Sequence, residues 1–268
     1  MPVRTSFSGM IDIMTKQRLD IELTTRGLTT SRSQAESWIK LGKVTVDGRV
    51  VMKPGQFVRS DASLELTARE RYVSRAGLKL ASVAQLLNVN FKGATVLDVG
   101  SSTGGFTDYA LQHGALKVWA VDVGTEQLHP SLRRDKRIRL YEKTDIRDFK
   151  MKYKPDVVVM DVSFISLREI LPHIANELSD ADTHIVAMLK PQFEAGKHQV
   201  NRGVIKNDSV RRLILREFED WLRKYFVVQD KRDSDVAGAK GNRERFYLLK
   251  KIAQTFLCSS ARAAILQA

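Results

Sequence analysis

The sequence predicts an α/β protein in two parts: a small N-terminal α+β module over residues 16–62 and, beyond a linker at 63–73, a larger domain over 74–252 built on a mostly parallel sheet. Three observations predict it. From about residue 73, apolar strand-like runs alternate with helix-length segments, as a parallel sheet covered on both faces requires. A glycine-rich turn follows the first of these runs. Upstream, residues 16–60 hold turn signals, two short helical patterns and nine basic residues against four acidic ones.

In the module, a helix starts at Arg18 and ends near Gly27, and Ser31 is placed to N-cap a second helix with Ala35, Trp38 and Ile39 on its apolar side. Gly42 fits the position just past that helix. Lys43–Val46 alternates as a strand, Asp47-Gly48 is a tight hairpin signal, and Arg49–Met52 runs back before Pro54-Gly55 turns the chain again.

In the larger domain the candidate strands are Thr95–Val99, Lys117–Asp122, Ile138–Glu142, Asp156–Asp161, His184–Leu189, Phe226–Asp230 and Arg245–Lys250. Helices fall near Gly105–His113, Ser166–Leu178 and Asp208–Lys224, the last with Asp208 as its N-cap. Residues 253–268 form a tail without a readable pattern.

Forty-four Lys and Arg against 31 Asp and Glu give 268 residues a formal charge of +13. That balance favours a polyanionic partner through counterion release, nucleic acid first. No apolar run approaches the roughly 18 residues a membrane-spanning helix needs, and the first residues lack the apolar segment of a secretory signal. The single cysteine, Cys258, has no internal partner, and the five histidines have no zinc-ligand spacing. A reducing, cytoplasmic setting without a structural metal is expected.

Asp98-Val99-Gly100-Ser101-Ser102-Thr103-Gly104-Gly105-Phe106 follows the first strand and opens a helix, so bare backbone can approach a ligand at the carboxyl edge of the sheet. The order G-x-x-x-G-G is not the G-x-G-x-x-G that seats a pyrophosphate, which argues against a dinucleotide. Asp122, with Val123 beside it, and Asp145 end the next two strands on the same edge. Ionisable residues that packing does not explain end further strands: Asp161, Lys190 and Glu244, joined by Lys79 from the segment before the first strand.

These residues carry a family resemblance. The run from Arg18 to Ala35, R-L-D-x-x-L-x-x-x-G-L-x-x-S-R-x-x-A, with G-K-V-T-V-D-G at Gly42–Gly48, resembles the RNA-binding module named after ribosomal small-subunit protein four. The glycine-rich turn resembles the first cofactor motif of S-adenosylmethionine methyltransferases, and Lys79, Asp161, Lys190 and Glu244 together resemble the catalytic tetrad of RrmJ/FtsJ-type RNA ribose 2′-O-methyltransferases. With D-V-S-F-I-S at Asp161–Ser166, L-K-P-Q-F-E at Leu189–Glu194 and G-N-x-E at Gly241–Glu244, the chain is similar to the TlyA, or hemolysin-A-like, family.

The resemblance implies a Rossmann-like seven-stranded sheet with its last strand antiparallel, and 2′-O-methylation of a cytidine in 23S ribosomal RNA, in some members also in 16S. S-adenosylmethionine is then expected along Asp98, Gly100, Ser101, Ser102, Thr103, Gly104, Gly105, Phe106, Val123 and Asp161, with Asp122 at its ribose and Asp145 at its adenine. A ribose hydroxyl is a poor nucleophile, so a base must take its proton as the methyl transfers. Lys190 is the expected base. Burial and the Lys79 cation favour the neutral amine it needs, and Asp161 and Glu244 oppose that but fix its direction. Ribosomal RNA contacts are expected from Arg18, Arg32, Lys40, Lys43, Arg75, Lys197, Arg202 and Arg243. A membrane-active haemolysin and a non-catalytic ribosome-binding protein are the alternative readings.

Overall fold

In the computed structural model, which describes residues 16–29, 32–40, 42–66, 72–196, 199–200, 203–238 and 241–252, the chain forms two compact units divided between Arg71 and Tyr72. The N-terminal unit starts with β1 (Lys16–Arg18) leading into α1 (Leu19–Thr25), which packs on α2 (Arg32–Lys40) through the fully buried Leu19, Leu23, Ala35 and Ile39. Ser31, the expected cap of α2, lies outside the described residues. Strand β2 (Val44–Val46) turns through Asp47 and Gly48 into β3 (Arg49–Val50). Both turn residues have positive φ, 50° and 75°, the hand that matches strand twist in a two-residue hairpin.

Two further strands complete this unit: β4 (Phe57–Arg59), antiparallel to β1, and β5 (Leu64–Leu66), antiparallel to β2. Strand β5 corrects the expected linker at 63–73, because Leu64 and Leu66 are half-buried and the Asp47 amide donates to Ser63 O at 2.8 Å. At the other end of that span, Tyr72 is buried in the second unit, 5.4 Å from the Tyr109 ring. Residues 67–71 lie outside the described residues.

The second unit holds α3 (Arg75–Ala84), β6 (Thr95–Val99), α4 (Gly105–Gln112), β7 (Lys117–Val121), α5 (Pro130–Arg133), β8 (Ile138–Tyr141), β9 (Val157–Met160), α6 (Leu167–His173, running on as a π-helical turn Ile174–Leu178), β10 (His184–Leu189), α7 (Pro191–Glu194), α8 (Asp208–Leu222), β11 (Phe226–Asp233) and β12 (Arg245–Lys251). Its seven strands lie in the order β11-β12-β10-β9-β6-β7-β8, and β12 runs antiparallel to both neighbours. Successive strand residues serve opposite faces, so both must be apolar. Val96, Val159, Val186 and Phe246 face the cluster that includes α3 and α4, whereas Leu97, Val158, Ile185 and Tyr247 face α6 and α8.

Two sequence expectations change. Helix α3 was not foreseen, although Gly77, Leu80, Val83 and Ala84 are buried at helical spacing. The cap of α8 is Asn207 rather than Asp208: the Asn207 side-chain oxygen accepts from Ser209 N at 2.8 Å and Val210 N at 3.3 Å. An extended backbone at Asn207 aims its carbonyl at those amides.

Helix α3 sits close on α4 because Gly77 faces Gly105. A Cβ on Gly77 would lie 2.5 Å from Tyr72 Cβ and 2.9 Å from Gly105 O. Gly77→Ala is therefore expected to push the helices apart at a cost of about 1–3 kcal/mol. A thermal melt should show Tm lowered by roughly 3–10 °C; an unchanged Tm would mean that the contact is slack.

Candidate active site

The parallel strands deliver their last residues to one edge, and antiparallel β12 brings its first residue to that same edge. Asp161 follows β9, Lys190 follows β10, and Glu244 precedes β12. Since Leu189 pairs with Arg245, Lys190 and Glu244 are the next residues beyond that registered pair. Helix α3 supplies Lys79. The four side chains form two ion pairs: Lys190 Nζ to Asp161 Oδ1 and Lys79 Nζ to Glu244 Oε2, both 2.6 Å.

All four are largely shielded, with side-chain exposures of 10%, 16%, 11% and 2% for Lys79, Asp161, Lys190 and Glu244. Isolated charges at that depth would be costly, so each is matched. The pairing differs from expectation in one respect: Glu244 is the partner of Lys79, and Lys190 is held by Asp161 and by Ser163 Oγ, 2.6 Å away. Asp161 Oδ1 and Glu244 Oε2 meet their cations at ion-pair distance without an aligned hydrogen bond.

Sequence reasoning missed Ser163 and also Asn242. The buried Asn242 amide donates to Gly203 O at 2.8 Å and accepts from Ile205 N at 3.1 Å, tying down the loop that carries Glu244. The G-N-x-E motif was a usable signal for Asn242; nothing in the sequence marked Ser163 as the partner of a lysine so far along the chain.

Beside the tetrad opens a cleft of about 440 Å³ lined by Gly100, Ser102, Asp122, Val123, Asp145 and Asp161, among others. A recess of about 70 Å³ shares Gly100, Ser102 and Asp161 with it and reaches Asp98, Ser101, Thr103 and Phe106. Asp98 is fully buried. Its Oδ2 accepts from Thr107 Oγ1 at 2.6 Å, while Oδ1 has no partner. Burial, opposed by the Thr107 hydrogen bond, pushes the Asp98 carboxyl up to about 7. An orphaned carboxylate oxygen of this kind fits a cationic ligand group.

Asp122 is oriented by the amides of Ser102 (2.8 Å) and Gly124 (2.7 Å). Asp145 is clamped by Arg147, whose hydrogen bonds hold its carboxyl below the ordinary range. Of the glycines, Gly100 lines the cleft, and a Cβ there would come within 3.0 Å of Asp161 O. Gly104 and Gly105 have protein against their bare faces instead: a Cβ on Gly104 would lie 2.4 Å from Leu132 Cδ1, and one on Gly105 2.3 Å from Ser74 Oγ. Neither lines the cleft or the recess.

Among the basic candidates, Arg18 and Arg32 both bind the buried Asp20, at 2.7 and 2.9 Å, and Lys40 lies 3.8 Å from Glu36. Burial alone would raise the Asp20 carboxyl, but the two guanidinium hydrogen bonds outweigh it and hold it low. Both arginines stay exposed enough to meet a phosphate, as do Lys43 and Arg243. Arg75 departs from expectation, because it is half-buried and donates to Ala237 O at 2.6 Å, bracing the loop before Glu244. Lys197 and Arg202 lie outside the described residues. Among the described residues no His, Cys, Asp or Glu group suits a metal ion, and no helix is long and apolar enough to cross a membrane.

Comparison with known proteins finds relatives over most of the chain. The FtsJ-like methyltransferase family model covers residues 72–251, and the S4 domain model covers 17–64. The 16S/23S rRNA (cytidine-2′-O)-methyltransferase TlyA of Mycobacterium tuberculosis is 41% identical over 72% of this chain and 74% of its own. Hemolysin A of Brachyspira hyodysenteriae is 38% identical over 85% of this chain and 97% of its own. A solved structure of a hemolysin-named protein from Streptococcus thermophilus superposes with a TM-score of 0.69 at 37% identity, covering 90% of both chains. With its sheet order, its paired lysines and carboxylates and these relatives, the chain belongs to the TlyA, or hemolysin-A-like, family, in which an S4 domain precedes an FtsJ-like methyltransferase domain.

Proposed function

We propose that this protein transfers a methyl group from S-adenosylmethionine to the ribose 2′-hydroxyl of a cytidine in ribosomal RNA. The observation that carries the reading is the pairing of Lys190 with Asp161 and of Lys79 with Glu244 on one sheet edge, beside a cleft whose recess ends on an unpartnered Asp98 oxygen. When bound, S-adenosylmethionine supplies an electrophilic methyl on a sulfonium. Asp98 receives the ligand's ammonium. Asp122, already fixed by two amides, keeps lone pairs for the ribose hydroxyls, and Asp145 and Val123 flank the adenine.

Lys190 gives up one ammonium proton to solvent and then takes the 2′-hydroxyl proton at Nζ, an atom that Asp161 and Ser163 hold from two directions. Lys79, matched by Glu244, adds a cation toward the acceptor sugar or phosphate. The exposed cations of the S4 domain contribute phosphate contacts. The reaction places the protein with ribosomal subunits in the cytoplasm.

The test is transfer of tritiated methyl from S-adenosylmethionine to ribosomal subunits lacking the modification, followed by mapping of the nucleotide. Label on a cytidine 2′-oxygen is expected. Absence of transfer to either subunit, with dye leakage from protein-free liposomes at low protein concentration, would favour a haemolysin instead.

A further inference from the structure

Glu194 is buried, with 2% of its side chain exposed, and the methyl-transfer scheme gives it no part. It closes α7, the short helix that begins directly after Lys190, and the Phe193 amide donates back to Lys190 O at 2.9 Å. Its carboxylate reaches across to the segment after β9. Ser166 Oγ donates to Oε2 at 2.6 Å and Leu167 N to Oε1 at 2.7 Å. Arg168 Nε lies 3.5 Å from Oε2, with its guanidinium over the rings of Phe218 and Trp221 of α8.

The loop Asp161–Ser166 is thus fastened twice to the strand end that carries Lys190. At its start, the Lys190 ammonium holds Asp161 and Ser163; at its end, Glu194 holds Ser166 and Leu167. Between the fastenings sits Phe164, with φ of +66°. A bulky residue in the left-handed region costs about 1–3 kcal/mol and persists only where its surroundings impose it. Phe164 is 91% exposed with its ring 5.3 Å from that of Phe193, and Ser163, Phe164 and Ile165 all line the cleft.

We infer that Glu194 is a positioning residue: it sets the Ser163–Ile165 wall of the cleft against Lys190, so that the lysine and the methyl acceptor meet in register. Removing its carboxylate frees the second fastening, lets Phe164 relax to negative φ, and takes Ser163 away from Lys190. Burial raises the Glu194 carboxyl, so a neutral amide of the same shape is tolerated there. The inference rests on the methyl-transfer reading for its kinetic consequence and not for its structural one.

The experiment compares Glu194→Ala and Glu194→Gln with wild type by amide hydrogen exchange of the ligand-free protein, by S-adenosylmethionine binding and by methyl-transfer kinetics. In Glu194→Ala, exchange should rise across 162–168 while the rest of the domain keeps its protection, and kcat should fall on the order of 10²-fold, as misplacement of reacting groups does. Cofactor Kd should weaken far less than kcat falls, because Asp98, Asp122 and Asp145 keep their own partners. Glu194→Gln, which can still accept from Leu167 N and donate to Ser166 Oγ, should stay near wild type in all three. The inference is overturned by unchanged exchange at 162–168, by unchanged kcat, by loss of protection throughout the domain, or by a glutamine variant as impaired as the alanine one. If wild type methylates no ribosomal subunit, the functional reading fails while the exchange comparison still decides the role of Glu194.

Discussion

Lys190→Ala is expected to lower the rate of methyl transfer by about 10²–10⁴-fold, the range that a positioned general base supplies. S-adenosylmethionine affinity should change little, because Lys190 does not line the cleft or its recess. Single-turnover transfer and calorimetric binding separate the two effects. Lys190, rather than Lys79, is assigned the proton because its partners, Asp161 and Ser163, are both cleft residues, whereas the partner of Lys79, Glu244, is not. A Lys190→Ala variant that turns over like wild type would shift the base to another group.

Asp98→Asn is expected to weaken cofactor binding and to stabilise the ligand-free protein at alkaline pH. The buried Asp98 carboxyl stands at about 7 in the folded chain, against about 3.9 when unfolded. Between those values the folded state holds a proton that the unfolded state has released. Stability therefore falls as pH rises from about 4 to about 7, by up to about 4 kcal/mol if the whole shift is expressed. Asparagine removes the titration: its Tm should exceed that of wild type at pH 8, and the two should converge near pH 4. Cofactor Kd in wild type should tighten as pH rises through about 7 and the carboxylate forms, and the variant should lose both this trend and most of the affinity. An apo protein whose stability is flat across that window would show that Asp98 is already ionised or hydrated.

The Asp98 pair of effects has a general cause. A binding group must be incompletely satisfied before its ligand arrives, and here the unsatisfied atom is Oδ1, since Thr107 reaches only Oδ2. The glycines tell the opposite story. In the sequence, Gly100, Gly104 and Gly105 are alike as openings for a ligand, yet Leu132 and Ser74 occupy the open sides of the latter two. A glycine pattern reports that something comes close and not what it is.

Much of the fold was legible because its signals are local. Short β-branched apolar runs such as Val157–Met160 suit strands buried on both faces, and charged or polar residues immediately beyond them mark where each strand surfaces. Short elements were harder: β4 and β5 have three residues each, too few to show a period, and α3 was hidden by the glycine and lysine in its first turns.

By itself the sequence determined the alternation of strands and helices and set Asp161, Lys190 and Glu244 at strand ends, since each of these follows from its own neighbours along the chain, whereas grouping them with Lys79 came from the family resemblance. Which lysine pairs with which carboxylate, that Ser163 and Glu194 hold the loop beside Lys190, and that Arg75 braces a loop were decided only by the tertiary structure. Those contacts join residues between 27 and 165 positions apart. Their distances follow from strand order and helix packing, which no local pattern encodes.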